Sequence, residues 1–190
     1  MESVKKEIKR AEKFANLAHA GQKRKITGEP YITHPAAVAR LLTKYGFNKY
    51  QIAAAWLHDT VEDTKTKTKT IRTNFDKRTA RYVAIATRPK GTDSWKKGRR
   101  YTIKVVKRAK NFDDIAVIIA DKIVNVEDIT RNLRKQGMSL FDKFFDGKYR
   151  RQLWYYEAVL KAIHKRDKNR PIVLIGSKKY PHSLPNSSQT

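Results

Sequence analysis

Apolar residues recur every three to four positions along most of this chain, the spacing that is typical of amphipathic helices. The pattern predicts an all-α protein. The predicted helices cover about 3–20, 35–45, 48–58, 67–73, 76–86, 99–110, 112–133 and 147–166. Loops with glycine and proline at 21–30 and 87–98, and an aromatic-rich connector over 137–147, separate them.

The C-terminal segment has a different composition. The apolar run at 172–176 predicts a short strand or an extended segment, and the Ser-, Pro- and Asn-rich residues 181–190 predict disorder. A chain of 190 residues is long enough for one hydrophobic core. We therefore predict one folded domain over 1–170 and an extended, partly disordered tail over 171–190.

A cluster of polar groups follows directly after an apolar run. The string LHDTVEDT at 57–64 places His58 and Asp59 side by side, with Glu62 and Asp63 one helical turn later. Positions four apart share a helix face, so His58 would lie over Glu62, and Asp59 over Asp63. Buried carboxylates are costly unless they are paired or bound to a metal. The cluster therefore indicates a metal ion with an activated water.

Two other positions offer further ligands. His34 begins a predicted helix within PYITHP, and Asp121 ends the apolar run 115–120. Asn125 lies one turn after Asp121 on the same face, where it could hold a water or a substrate oxygen. Imidazoles and carboxylates together suit manganese, iron or zinc better than calcium. The chain has no cysteine, which excludes thiolate ligands and disulfides.

The order of these candidates, a single His, a His-Asp pair and a later Asp, resembles that of the HD metal phosphohydrolases. Three longer strings are similar to the hydrolase domain of the Rel/Spo stringent-response enzymes: GEPYITHP at 28–35, LHDTVEDT at 57–64 and IADKIVN at 119–125. The chain length resembles that of the small alarmone hydrolases, including the metazoan type. The resemblance covers roughly residues 5–165.

This resemblance implies an HD-domain helical bundle that hydrolyses the 3′-diphosphate of guanosine tetra- or pentaphosphate (ppGpp or pppGpp) to GDP or GTP and pyrophosphate. It implies one divalent cation, manganese by preference. The implied ligands are His34, His58, Asp59 and Asp121. Glu62 and Asp63 match the catalytic acids that orient or deprotonate the attacking water, and Asn125 matches the residue beside it.

The resemblance also implies contacts to the substrate. Arg24 matches an arginine that lies against the nucleotide base, and its planar guanidinium suits stacking. Lys97, with Arg99 near it, matches a basic loop that reaches the phosphates, and Arg150 matches another phosphate-binding arginine. The sequence TRPK at 87–90 departs from the usual loop, which leaves the base preference open. An adenosine alarmone and the 2′-phosphate of NADPH remain alternative substrates.

The charge of the chain is strongly positive and unevenly distributed. The net charge is +25, and residues 64–110 hold 17 Lys or Arg against 2 Asp. Such a field favours polyanions. Small hydrolases of the resembled type suggest one, a tRNA 3′ end that carries a pyrophosphate, bound through the basic segment 65–110. A nucleic-acid-binding protein on an HD scaffold is an alternative of another class, and a merely solvated surface is the simplest interpretation.

No apolar stretch is long enough to cross a membrane, and no N-terminal segment resembles a signal peptide. Together with the absence of cysteine, this favours a cytoplasmic protein that does not interact with membranes.

Overall fold

The computed structural model describes residues 2–89, 91, 94–145 and 149–179, and nearly all regular structure in these residues is helical. The helices are α1 (Glu2–Ala18), α2 (Thr33–Lys44), α3 (Lys49–Leu57), α4 (Thr60–Asp63), α5 (Thr68–Asn74), α6 (Lys77–Ala86), α7 (Trp95–Arg108), α8 (Ala116–Gln136), α9 (Ser139–Phe145), α10 (Tyr149–Arg166) and α11 (Pro171–Lys179). A 3-10 turn, Phe112–Ile115, leads into α8. The predicted all-α class is confirmed.

Helix α3 lies at the centre of the bundle. It packs against α1, α2, α6 and α8, so it has almost no face toward solvent. Its sequence suits that position, because Ala53, Ala54 and Ala55 are fully buried and their small side chains let the surrounding helices approach closely. A helix that is apolar on all sides is expected in a core. The end of α3 therefore delivers His58 into the interior.

The start of α2 is held by a tight loop. The backbone N–H of Arg24 donates to the carbonyl of Glu29 at 2.7 Å, and that of Tyr31 donates to Gln22 at 2.9 Å. Gly28 makes the reversal possible because it adopts a φ of +72°. This loop presents Arg24 and Tyr31 beside the first turn of α2.

Helix α8 carries the second half of the buried polar cluster. It is the longest described helix, with 21 residues, and it packs against α2, α3, α10 and α11. Residues 116–120 are almost fully buried, and Asp121 follows them at 8% exposure. Neither α8 nor any other helix within the described ranges is both long and apolar enough to cross a bilayer.

Several predicted boundaries were wrong. Helix α7 begins at Trp95 rather than near 99, because the hydroxyl of Ser94 caps its first turn by accepting from the N–H of Lys97. The predicted connector over 137–147 contains α9. The predicted helix at 112–133 opens as a 3-10 turn and ends at Gln136. The LHDTVEDT string is divided, since α3 ends at Leu57 and α4 begins at Thr60.

The predicted strand or extended segment after residue 170 was also wrong. Residues 171–179 form helix α11, which begins at Pro171, a position where a missing N–H costs nothing. Ile172 and Val173 are buried, and the helix packs against α8 and α10. The disorder predicted for 181–190 falls outside the described residues, and the single-domain assignment stays a prediction.

We predict that Asn48→Ala destabilises the protein by about 1 kcal/mol, because it removes the N-cap of the central helix. The Asn48 side chain accepts from the N–H groups of Tyr50 and Gln51, at 3.0 and 3.2 Å. The measurement is the free energy of urea unfolding. The matched control is Asn16→Ala on α1, whose exposed amide bonds only to the carbonyl of Glu12, and it should change stability by less than about 0.5 kcal/mol. Equal effects would contradict the capping role.

Candidate metal centre and substrate cleft

The structure brings the four predicted metal ligands together. The Nε2 atom of His34 lies 3.1 Å from Oδ1 of Asp121 and 3.5 Å from Oδ2 of Asp59. The Nε2 atom of His58 lies 3.2 Å from Oδ1 of Asp59 and 3.9 Å from Oδ1 of Asp121. One donor atom each from His34, His58 and Asp121 lies within 4.8 Å of the other two. A set of this size and chemistry fits a divalent cation.

His58 is oriented for a role as a ligand. Its Nδ1 atom lies 2.8 Å from the carbonyl oxygen of Ala55, an acceptor, so Nδ1 carries a proton and Nε2 faces the cluster, where its lone pair would bind a cation. Without a cation, Asp59 and Asp121 raise the pKa of His58 in spite of its burial, which favours a second proton on the ring. That Nε2 atom is buried and, in the part of the chain that the structure describes, has no hydrogen-bond partner. A buried lone pair without a donor is costly. A bound cation would satisfy it.

The ammonium group of Lys122 compensates the charge of Asp121. Burial raises the pKa of the Asp121 carboxyl, but the Lys122 ammonium, the hydrogen bond with His34 and the charge of His58 together hold it well below its ordinary value. Lys122 pairs with Oδ2 of Asp121, and its side chain is only 12% exposed. Asp121 is therefore ionised, as a metal ligand must be.

The hydroxyl of Tyr31 joins Asp59 to one of the predicted catalytic acids. It lies 2.7 Å from Oδ2 of Asp59 and 2.8 Å from Oδ2 of Asp63. Burial and the two carboxylates raise the pKa of Tyr31 far above its ordinary value, so the phenol keeps its proton. Burial and the nearby Asp59 also raise the pKa of Asp63. Since a phenol has one proton to give, the Tyr31 hydroxyl donates to only one of the two carboxylates at a time.

Glu62, the other predicted acid, faces a different partner. Its Oε1 atom accepts from the backbone N–H of Arg88 at 2.6 Å, and its Oε2 atom accepts from Nε of Arg88 at 2.7 Å and also from Nη2. The expected pairing of Glu62 with His58 on one helix face therefore gives way to an ion pair. The sequence offered no signal for it, because the partner lies 26 residues later.

Asn125 and Arg24 both lie beside the cluster. The side-chain amide of Asn125 donates to Oδ1 of Asp121, one helical turn earlier. The guanidinium of Arg24 bonds to Asp128 at 2.6 Å and lies 5.9 Å from the centre of the Tyr31 ring. Both side chains line an open cleft of about 170 Å³ that the four candidate metal ligands also line.

Arg24 is the only one of the three predicted substrate-binding cations that lines the cleft. Arg99 and Lys122 line the cleft, whereas Lys97 does not, and Arg150 lines a separate groove with Trp95 and other residues. Arg99 lies 4.5 Å from the centre of the Tyr155 ring. Its Nε atom is buried and has no hydrogen-bond partner among the described residues. Arg99 was visible in the sequence only as a neighbour of Lys97.

His19 lies behind Tyr31. It is 3% exposed, and its ring stacks on that of Tyr31 with centroids 4.7 Å apart. Its Nδ1 atom lies 2.8 Å from Oε1 of Gln22, whose amide donates to the carbonyl of Asp63. These contacts fix the position of Tyr31 and of the turn that carries Asp63.

Comparisons with known proteins agree with this geometry. A family model described as "HD domain" matches residues 11–144. The chain is 35% identical over 144 residues to the guanosine-3′,5′-bis(diphosphate) 3′-pyrophosphohydrolase of Aquifex aeolicus, and 32% identical over 142 residues to the bifunctional (p)ppGpp synthase/hydrolase SpoT of Escherichia coli. The matches cover 71% and 73% of this chain, but only 20% and 19% of those relatives.

Two solved structures resemble the whole bundle. A crystal structure of a Listeria monocytogenes protein is 31% identical with a TM-score of 0.70, and the match covers 78% of this chain and 96% of that one. A metazoan ortholog of SpoT, which hydrolyses ppGpp, has a TM-score of 0.76 and covers 91% and 93% of the two chains. At 20% identity, the second match supports the fold alone.

We predict that Lys122→Met lowers the free energy of unfolding by about 3 kcal/mol or more in metal-free buffer, because the mutation leaves a buried carboxylate without its ammonium partner. The measurement is denaturant unfolding in the presence of a chelator. Lys161→Met, at an exposed position on α10, is the control and should have an effect below about 0.5 kcal/mol. A loss below about 1 kcal/mol for Lys122→Met would mean that the imidazoles alone compensate Asp121.

Proposed function

This chain belongs to the HD domain family, and we propose that it hydrolyses the 3′-diphosphate of guanosine tetra- or pentaphosphate, releasing GDP or GTP and pyrophosphate. One observation carries the proposal: two imidazoles and two carboxylates meet at a cleft that cations also line. The relatives named for this reaction support the choice of substrate. The chain spans about a fifth of the length of the Aquifex aeolicus relative. We therefore propose only this hydrolysis for the chain, and no other activity of those relatives.

We infer that His34, His58, Asp59 and Asp121 hold one divalent cation, manganese by preference. The mixed nitrogen and oxygen donors, and the Nε2 atom of His58 that has no other described partner, support this assignment. When bound, such an ion acts as a Lewis acid and lowers the pKa of a water toward neutrality.

The remaining residues divide into those that move a proton and those that hold the substrate. Asp63, next to the Tyr31 hydroxyl, takes a proton from the attacking water, whose oxygen bonds to phosphorus as the bond to the 3′ oxygen breaks. A proton returns to that 3′ oxygen as it leaves. Asn125 orients the water or a phosphate oxygen, and Arg24 stacks against the base. Arg99 directs its buried Nε–H at a phosphate.

The identity of the base rests on few contacts. Arg24 is already bonded to Asp128, and a guanidinium can stack on any base. An adenosine alarmone and the 2′-phosphate of NADPH therefore remain alternative substrates of the same site. Values of kcat/KM across a panel of 3′- and 2′-phosphorylated nucleotides would rank them.

We predict that Asp59→Ala and Asp121→Ala each lower the turnover of guanosine tetraphosphate at least about 100-fold, because each removes a ligand of the proposed cation. Pyrophosphate release is the measurement, in manganese-containing buffer and again after chelation, which should abolish the wild-type reaction. Asp142→Ala, an exposed carboxylate on α9, is the control and should retain full activity.

Two results would contradict this proposal separately. Full activity of either ligand variant would exclude the metal assignment. A wild-type protein that hydrolyses another nucleotide but not guanosine tetraphosphate would keep the metal site and exclude the substrate.

A second candidate substrate is a polyanion, and a tRNA 3′ end that carries a pyrophosphate is the specific case. A surface groove between α5, α6 and α7, away from the metal cluster, supports it. Its lining includes Arg72, Lys77, Arg81 and Tyr101. These residues belong to the segment 64–110, where 17 Lys or Arg accompany 2 Asp. A nucleic-acid-binding protein without hydrolytic activity would use the same surface.

We predict that the triple replacement Lys104→Gln, Lys107→Gln and Arg108→Gln weakens only the tRNA reaction. Each neutralised phosphate releases counterions, so the tRNA reaction should also fall steeply between roughly 50 and 200 mM salt, and the nucleotide reaction only slightly. The measurement is kcat/KM for both substrates. The triple replacement Lys5→Gln, Lys9→Gln and Lys13→Gln on exposed positions of α1 removes the same charge elsewhere and is the control. Equal salt slopes, or no tRNA turnover, would leave the basic segment as a solvated surface.

A further inference from the structure

Arg88 occupies both oxygens of Glu62. The carboxylate accepts the backbone N–H of Arg88 at 2.6 Å on Oε1, and Nε at 2.7 Å together with Nη2 on Oε2. The pair is partly shielded, since the side chains of Glu62 and Arg88 are 16% and 38% exposed. Arg88 follows the end of α6 and lines the same cleft as the four candidate metal ligands.

This arrangement is unfavourable for Glu62 as a base. Its two oxygens already accept from a backbone N–H and from a guanidinium, so a water molecule would have to compete with these donors for a place on the carboxylate. Asp63, the neighbouring acid, contacts the Tyr31 hydroxyl instead, and that hydroxyl also contacts Asp59. The two acids of the same helical turn therefore face different parts of the cleft. Asp63 is the one that the Tyr31 hydroxyl connects to Asp59, a candidate metal ligand.

Arg88 still has donors to offer. A guanidinium carries five N–H groups in a fixed plane, and the contacts with Glu62 use those on Nε and Nη2. Among the described residues, no acceptor other than Glu62 receives a hydrogen bond from this guanidinium. The contacts made by the described residues thus hold the side chain in one orientation and leave Nη1 available, which is the arrangement of a preorganised phosphate ligand.

We propose that Arg88 is a catalytic residue that binds the phosphoryl group under attack, and that Glu62 is a positioning residue which acts through Arg88. The inference rests on the proposed hydrolysis and deepens it. During in-line displacement at phosphorus, charge accumulates on the nonbridging oxygens, and a preorganised guanidinium stabilises that charge. Glu62 keeps the guanidinium in place before the substrate arrives, so little reorganisation is needed during the reaction.

The chemistry requires no other reactant. Water adds its oxygen to phosphorus, the bond from phosphorus to the 3′ oxygen breaks, and the proton lost by water is matched by the proton gained by the leaving hydroxyl. Arg88 stays protonated throughout, because an arginine does not act as an acid or base in this pH range. Its effect is therefore electrostatic and should appear mainly in kcat.

A double-mutant cycle tests the assignment. We expect Arg88→Ala to lower kcat about 100-fold or more with a smaller change in KM, as the loss of one transition-state donor does. Glu62→Ala should lower kcat in the wild type but by less than about twofold in the Arg88→Ala background, because residues that act as a unit are not additive. Glu62→Gln keeps one acceptor for the guanidinium and should retain more activity than Glu62→Ala.

A binding measurement keeps the test independent of turnover. Titration calorimetry with inorganic pyrophosphate and manganese should show weaker pyrophosphate binding for Arg88→Ala, with unchanged manganese affinity in the absence of pyrophosphate. Arg170→Ala is the matched control. That arginine also pairs with carboxylates, at 3.0 and 3.3 Å, and is 41% exposed, but it lies directly before α11 and does not line the cleft. If Arg88→Ala fails to fold, Arg88→Gln serves in both measurements.

Three results would overturn the inference. If the fold-losses in kcat of the two single variants multiply in the double variant, Glu62 acts independently of Arg88, as a base would. Faster turnover by Arg88→Ala would make the ion pair an obstacle that substrate must open. Unchanged pyrophosphate affinity would remove the phosphate contact. A wild-type protein that hydrolyses no nucleotide yet loses pyrophosphate affinity in Arg88→Ala would refute the proposed reaction while supporting the phosphate contact.

Discussion

The ionised carboxylate of Asp121 inside the bundle is the constraint on which the rest of the structure depends. A buried charge is tolerated only if its neighbours compensate it, and Lys122, His34 and His58 do so. Each of these groups comes from a different helix. His34 lies in the first turn of α2, His58 follows the end of the buried α3, and Lys122 is the residue after Asp121 on α8. Because the groups that compensate the charge of Asp121 come from three helices, a change in how these helices pack would also separate these groups from Asp121.

That requirement divides the cleft into two electrostatic sides. Imidazoles and carboxylates gather where α2, α3 and α8 meet, while the guanidinium groups of Arg88 and Arg99 come from the segment after α6 and from α7. A phosphorylated substrate needs both sides, since a cation and a proton acceptor activate water and fixed positive groups hold the phosphate. Tyr31 and His19 belong to the first side and behave as its framework, because the stacked rings hold the hydroxyl that links Asp59 to Asp63.

Much of this arrangement was predictable from the sequence, and the failures have physical causes. Periodicity located most helices, and the spacing of Asp121 and Asn125 placed them on one face. Lys97 was preferred to Arg99 because the resemblance implied a phosphate-binding loop, and the sequence predicted a loop over 87–98. Once residues 95–98 are helical, positions two apart point to nearly opposite sides, and only one of the two can face the cleft. The pairing of Glu62 with Arg88 depends on how a loop folds back, which no local pattern encodes. Helix α11 was missed because an apolar pentapeptide fits a strand equally well.

The positive charges of the chain act differently inside and outside the cleft. Four cations line the cleft, and three of them are each neutralised by a carboxylate: Arg24 by Asp128, Arg88 by Glu62 and Lys122 by Asp121. Arg99, which stacks on Tyr155, has no such partner among the described residues. The excess charge therefore lies mostly outside the cleft, on exposed positions of α5, α6 and α7. At that distance it acts through the long-range field, which raises the encounter rate with anions and weakens as salt shortens the Debye length. Positioning within the cleft depends instead on paired, oriented groups, which salt affects far less.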